Sequence, residues 1–359
     1  MQIINKLYRY NDVYINFILK VILIIFFSTT FLQANTFKVS DIEVSSPFEL
    51  NFDKNKVLND GFRSSFHNLI STITTSGDRN KIKDISLREL KGMIDSFTIS
   101  EERFVNDEYF AKLEVIFNKK NTLNFLERKN IFPSIPIRNK VLLVPILVDL
   151  EKDKIFLFND NIFYQRWNDA KKKYYLLEYL LPSEDLEDLN DIQQNFKFIE
   201  DYDFLKLIKK YDLNDYVVVI LFKSKNQLKV HSKINLQNSF KVNNQVFEDI
   251  DLNDEKNFES VIVKLKTIYE DYWKKKNEIN TSIRLPLTIS INSKEYVKIQ
   301  KLEKTLNNLN LVSNFYILRF DNTNIYFKII YNGSPKTFLN DMSINNFDLS
   351  IENNVWTIR

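Results

Sequence analysis

Hydrophobic positions along this chain change their period several times, and the changes divide it into a leader and three folding segments. Over 54–75, Val57, Leu58, Phe62, Phe66, Leu69, Ile70 and Ile73 recur at spacings of three and four, which predicts an amphipathic helix ending near Gly77. A short strand over 36–44, broken at Pro47, precedes it. A second short helix over 87–93 leads into β-rich runs at 94–103 and 109–117, a hairpin turning at Asn106-Asp107, and a helix over 122–128 follows. Two prolines two residues apart, Pro133 and Pro136, then make a stiff connector.

The second segment opens with the apolar run 141–148, the pattern of a strand covered on both faces. Pro145 inside it predicts a bulge or the end of the strand, since proline cannot donate to the ladder. A helix over 162–174, a strand over 175–181 stopped by Pro182, a helix capped by Ser183 and running to Gln194, and a short helix over 203–211 come next. The run 216–222 predicts a second buried strand, 227–236 and 240–247 two alternating ones, and 255–277 a long helix with Phe258, Val261, Ile262, Leu265, Ile268, Tyr269 and Tyr272 on one face. The last segment reads β-α-β-β-α-β: strand 284–291, helix 294–307, a hairpin of 311–320 and 324–331 turning at Asp321-Asn322, helix 335–342, strand 354–358. That order is the ferredoxin-like arrangement. The expectation is an α+β chain of three small units: an N-terminal unit at 35–132, a middle α/β-like unit with a mixed sheet at 138–279, and a ferredoxin-like unit at 283–359.

The first 34 residues differ from the rest. Lys6, Arg9 and Lys20 precede an apolar stretch from Val21 to Leu32, and Ala34 follows as a small residue at a cleavage point. That is the make-up of a signal peptide, and it is short for a bilayer span. The expectation is export to the periplasm, with an uncleaved membrane anchor as the alternative; no cysteine is available for a lipid anchor. Without the leader the formal charge falls from +3 to +1, because three of the cations and Asp12 lie in it. A near-neutral chain disfavours a polyanion partner such as nucleic acid. The basic runs 171–173 and 274–276 read as solvated helix faces.

Four glycines leave little material for glycine-built phosphate loops, the absence of cysteine removes thiolate chemistry, and two isolated histidines, His67 and His231, leave little for metal or histidine-based catalysis. No cofactor and no metal is implied. Asp185, Asp188 and Asp191 recur every three residues beside Glu184 and Glu187, a carboxylate row with no ion-loop spacing, so a solvated helix start is expected. Ser64, Ser65 and Ser71 lack the glycines of a nucleophile elbow. Arg103, near a hairpin tip, and Arg166, beside Trp167, are candidates for recognising a carboxylate on a partner, with local pairing of Arg103 to Glu101 or Asp107 as the competing role. Trp167, Trp273 and Trp356 are expected to anchor cores or interfaces. The candidate interaction residues are therefore Arg103, Arg166, Trp167, Asp185 and Asp188, with no catalytic residue assigned.

Several landmarks together resemble domain-of-unknown-function family 2066. These are the strand 141–148 with Pro145, the helix carrying Trp167, the phrase Leu181-Pro182-Ser183-Glu184-Asp185-Leu186-Glu187-Asp188, the segment Tyr331-Asn332-Gly333 with Trp356 beyond it, and Ser100-Glu101-Glu102-Arg103 before the strand 111–117. The chain differs from that pattern at Ser183-Glu184. The resemblance covers roughly 35–359 and implies an exported Gram-negative envelope protein with no established activity. The expected function is binding or assembly of other envelope proteins. A small-ligand or lipid carrier and a carboxylate-based hydrolase of envelope polymers are the alternatives.

Overall fold

The computed structural model describes residues 37–252, 254–352 and 355–358. The leader expected at 1–34 lies outside them. The first module runs β1 (Lys38–Pro47), α1 (Lys54–Ile73), α2 (Ser76–Arg79), α3 (Leu87–Lys91), β2 (Ile94–Val105), β3 (Glu108–Phe117) and α4 (Lys119–Arg128). Its antiparallel sheet has the order β1-β3-β2. Asp53 starts α1 by accepting the Asn55 N–H, and the predicted stripe, Phe62, Phe66, Leu69, Ile70 and Ile73, lies against Leu113, Val115 and Phe117 of β3. Gly61 permits the close approach there: a Cβ would sit 2.1 Å from Leu113 Cδ1, and Leu113 would have to shift to admit it. The helix stops at Ile73, short of Gly77, because Thr74 turns extended and both its N–H and its hydroxyl bond the Ile70 carbonyl. Asn106 and Asp107 both take positive φ, 53° and 57°, and make the predicted hairpin turn.

The middle module comprises β4 (Asn139–Asp149), β5 (Lys154–Phe156), α5 (Ile162–Arg166), β6 (Leu177–Leu180), α6 (Leu186–Gln194), α7 (Leu205–Ile208), β7 (Tyr216–Ser224), β8 (Gln227–Leu236), β9 (Ser239–Phe247) and α8 (Glu255–Lys276). Its mixed sheet runs β5-β4-β7-β8-β9, with β6 also on β4; β4 is parallel to β6 and β7, and the other pairs are antiparallel. Alternate residues of β4 and β7 enter opposite cores, which is why both read as unbroken apolar runs. Val141, Leu143, Val217 and Val219 face α8, while Leu142, Val144, Val218 and Ile220 face Ile192, Phe204 and Leu207 of the opposite layer.

Three local expectations are corrected here. Pro145 neither bulges nor ends β4, which pairs with β7 in unbroken register from Leu142 to Asp149. On its other side β6 pairs only through Leu142 and β5 only from Leu147, so Pro145 faces the gap between them, and its carbonyl there accepts from Asn161 Nδ2 at 3.0 Å. No ladder donor is missed. The helix expected over 162–174 is only the five residues of α5. Beyond Trp167 the polar run of Asn168, Asp169 and the lysines offers no stripe to bury, and the chain then enters β6 with the Leu176 and Leu177 N–H groups donated to Glu270 of α8. The cap of α6 is Asp185, not Ser183: its carboxylate accepts from the Glu187 and Asp188 N–H groups.

The third module is β10 (Leu285–Asn292), α9 (Tyr296–Asn308), β11 (Val312–Phe320), β12 (Asn324–Tyr331), α10 (Pro335–Ile344), β13 (Leu349–Glu352) and β14 (Val355–Ile358). The expected β-α-β-β-α-β order is present, with its last strand doubled into the hairpin β13–β14. The sheet order is β11-β12-β10-β14-β13, and β14 lies parallel to β10. Leu302 and Leu306 of α9 and Phe338 and Met342 of α10 cover one face, over Ile289, Ile291, Phe327 and Ile329.

The connectors between modules are pinned. Ser134 donates its N–H and its hydroxyl to the Ile73 carbonyl, Ile135 N–H bonds the Asn277 carbonyl, and Ile279 N–H bonds the Pro133 carbonyl. The Pro133–Pro136 connector and the chain leaving α8 thus form a bridge, Ser134 beside Glu278, at the end of α1. Arg284 grips Glu127 of α4 through both carboxylate oxygens at 2.6 and 2.7 Å, and the Asn332 amide donates to the Ile283 carbonyl at 2.7 Å.

Candidate functional site

The charged candidates are occupied by one another. Asp185 and Asp188 both bind Lys210, at 3.0 and 2.8 Å, and Glu187 and Asp191 both bind Lys206, at 2.7 Å each. The carboxylate row of α6 is therefore half of a charge zipper, the other half standing on α7 and the turn after it. The Lys210 ammonium, reinforced by the N–H groups of α6's first turn, holds the Asp185 carboxyl below its usual range. Asp188 is buried against Lys210 and offers nothing to a partner, which corrects its candidacy.

Arg166 binds Glu255 in the first turn of α8 and Asp169 at 3.5 Å, while its guanidinium lies 5.7 Å over the Phe258 ring. That geometry clamps α5 to α8. Trp167 is fully buried, stacked 6.3 Å from Tyr269 and edge-on to Tyr179, so it is a core residue and not a docking one. Arg103 remains exposed, 3.7 Å from Glu101 as its local reading required, and 5.2 Å over Phe110. It lines a shallow cleft of about 150 Å³ with Glu43, Phe110 and Lys112. His67 packs edge-on to Tyr174, with its pKa lowered by burial and by Arg79, and His231 Nδ1 lies 2.8 Å from Asn244 Oδ1. Among the described residues no group of three or more His, Asp or Glu side chains is arranged to hold a metal.

A polar cluster that sequence reasoning missed runs along the buried side of α8. Lys266, Glu270 and Lys274 are each about 2 % exposed and follow one another at four-residue spacing, one above the other. Lys266 Nζ donates to the Ala170 carbonyl at 2.8 Å inside a ring of Trp167, Tyr175 and Tyr179, 5.5 to 5.8 Å from each centroid. Glu270 Oε1 accepts from Leu176 and Leu177, and its Oε2 lies 3.9 Å from Lys274 Nζ, which in turn bonds the Ser71 carbonyl of α1. Burial pushes both lysines down to about 8 and raises Glu270. Asp271 takes the N–H and hydroxyl of Ser76 beside them, so the cluster joins the first module to the second. The reading of 274–276 as a solvated face therefore holds for Lys275 and Lys276 and fails for Lys274. The available signal was the four-residue spacing from Ile262 through Lys266 and Glu270 to Lys274, which continues a buried stripe.

What the surface leaves open is apolar and lies at sheet edges. Four long strands, β1, β2, β9 and β11, each end a sheet. Phe97 and Phe104 are exposed on β2, Phe240, Val242 and Val246 on β9, and Tyr316, Ile317, Leu318 and Phe320 on β11. The far end of the β11–β12 hairpin carries apolar groups on both faces: Ile317 and Phe320 pair with Phe327 and Ile325 on the helix side, and Tyr316 pairs with Lys328 on the other. This end is braced. Asp321 Oδ1 accepts the Thr323 and Asn324 N–H groups, which hold its carboxyl at about 2, and Tyr326 donates to its other oxygen. Arg319 lies 4.0 Å over the Tyr326 ring. The Ser293 N–H bonds the Thr323 carbonyl, which brings the exposed Tyr296 and Val297 of α9 to the same end of the sheet. No helix among the described residues is long and apolar enough to cross a membrane.

No protein-family model matches the chain, and no curated protein matches it significantly.

Proposed function

We propose that this protein is an exported interaction protein of the cell envelope that docks other proteins through the far end of the β11–β12 hairpin. The observation that carries the reading is the exposure of Tyr316, Ile317, Leu318 and Phe320, from 46 to 75 %, on a strand whose turn is held rigid. Large apolar side chains held exposed on both faces of a braced hairpin end mark a protein contact, because their exposure costs free energy that a partner relieves. Bulges at Ser313 and Leu318 interrupt the row of backbone groups on β11, so the partner is met by side chains and contributes an apolar surface of its own. The zippered acids of α6 and the clamped Arg166 favour binding over turnover, since each is already committed to an internal partner. The leader read at 1–34 supports the envelope location.

Placing a photo-crosslinking residue at Phe320, and separately at the exposed Lys304 of α9, tests this in cells. Discrete adducts from position 320 that are absent from position 304, and that vanish in the Ile317→Ser/Leu318→Ser background while the thermal melt is unchanged, are the expected result. Identical adduct patterns from both positions, or none from position 320, would overturn it.

A further inference from the structure

We propose that β9 is the seam of a two-fold homodimer, in which β9 of a second copy adds antiparallel to its outer edge and joins the two middle sheets into one. This inference concerns a different surface from the β11–β12 hairpin and stands independently of the docking proposal.

Of the four long edges, β9 is the one built as a template. Register shifts break β1 between Val39 and Ile42, β2 at Asp95 and Ser100 and β11 at Ser313 and Leu318, the bulges by which sheets blunt their edges. β9 pairs with β8 without a break from Ser239 to Phe247, holds no proline, and has Lys241 as its single charge. The turn before it has positive φ at both Gln237 and Asn238, the two-residue type that makes Leu236 and Ser239 a hydrogen-bonded pair. Amides of residues 239, 241, 243, 245 and 247 therefore point to β8. Those of Phe240, Val242, Asn244 and Val246 point outward.

A second copy meets all of these outward groups at one register, including the Asn244 carbonyl, which accepts from Gln245 Nε2 at 2.8 Å and has a second lone pair to offer. With the two-fold axis through Asn243, Phe240 faces Val246 of the second copy and Val242 faces its Asn244, so every outward N–H and C=O meets a partner in a hydrogen-bonded pair. The side chains agree with that register. Phe240 against Val246 is an aromatic and β-branched cross-strand pair. Lys241 falls opposite Gln245 and never opposite itself, and its ammonium already lies 5.2 Å over its own Tyr272. One strand further in, Lys233 is turned to the Tyr202 carbonyl and lies over Phe204, and His231 is held by Asn244. Reading across the seam, the rows run Lys229, Val246, then Phe240 and Asn235 of the second copy, and Lys233, Val242, then Asn244 and His231 of the second copy. No two cations occupy adjacent strands.

The test combines solution mass with thiol trapping, since the chain has no cysteine of its own. Sedimentation across a concentration series is expected to show a dimer. Val242→Pro removes an outward N–H and no bond to β8, so the variant is expected to fold and to weaken dimerisation by about tenfold or more. Oxidised Asn243→Cys is expected to form a disulfide-linked dimer, because position 243 meets its copy as a non-hydrogen-bonded pair with Cα atoms about 4.5 Å apart. Gln245→Cys is expected to form none, since it lies about 14 Å from its copy. A monomer at all concentrations, a dimer indifferent to Val242→Pro, or equal trapping at 243 and 245 would each overturn the proposal.

Discussion

On α6 and α7, Asp185, Glu187, Asp188 and Asp191 meet Lys206 and Lys210 with four contacts of 3.0 Å or less. On α8, Lys266, Glu270 and Lys274 stand in a row whose one ion pair is 3.9 Å long. By contact geometry the first row is the stronger. By environment the order reverses: most of the α6–α7 zipper stands in water, where ion pairs contribute little and salt screens them, whereas the α8 row lies between two modules, where any unpaired charge is expensive. The short bonds at the surface organise one helix start, whereas the long pair inside stands among the bonds that join the first module to the second.

Removing one member of the buried pair is the most direct way to break the comparison. Lys274→Met leaves the Glu270 carboxylate without its cation and deletes the bond to the Ser71 carbonyl of α1. A loss of about 3–5 kcal/mol in urea unfolding is expected. A loss no larger than that caused by a surface lysine would show that the row is solvated in solution.

The alkaline limb of stability comes next in size. Lys266, which has no ion pair among the described residues, releases its proton near pH 8 in the folded protein and near pH 10.5 when unfolded, so between these values the unfolded chain binds more protons. Stability therefore rises as pH rises from about 8 toward 10, by ~3 kcal/mol for a lysine shifted this far. Tyr175 bounds the rise: burial pushes its hydroxyl up to about 12, so above its unfolded value of about 10 its contribution is lost. Lys266→Met should flatten the rise while altering stability at pH 7 by less than about 1.5 kcal/mol, because a thioether suits the ring of Trp167, Tyr175 and Tyr179 and only the bond to Ala170 is given up. Chemical unfolding of both proteins from pH 7 to 10 checks this, and parallel curves would sink it.

Much of this architecture was legible residue by residue. The unbroken apolar runs of β4 and β7, the Asn106-Asp107 turn and the stripe of α8 each carry a local cause, and each appears in the fold. What failed depended on neighbours distant in sequence. Pro145 is harmless because β5 and β6 leave a gap beside it, and the entry to β6 is fixed by Glu270, about ninety residues later, which takes the Leu176 and Leu177 amides. Lys266, Glu270 and Lys274 escaped notice because a periodicity argument counts charged residues as outward, although their spacing placed them beside Ile262 on the buried side. The alternation of β9 was visible, and its position at the end of a sheet was not, because a strand's pattern says which face it buries and nothing about whether a neighbour covers its edge.

The α6–α7 zipper contributes least, and its contribution depends on salt. Lys206 contacts Glu187 and Asp191 through an exposed side chain, and Lys206→Ala leaves both carboxylates in water with nothing buried and unpaired. A slight fall in melting temperature at low ionic strength is expected, vanishing at about 0.5 M salt, where the Debye length is about 4 Å. The Lys274→Met deficit should persist unchanged under the same salt, because counterions do not reach a pair that the protein encloses. Melting curves of the two variants at low and high salt separate these outcomes: equal salt sensitivity would place both rows in the same environment and dissolve the distinction between them.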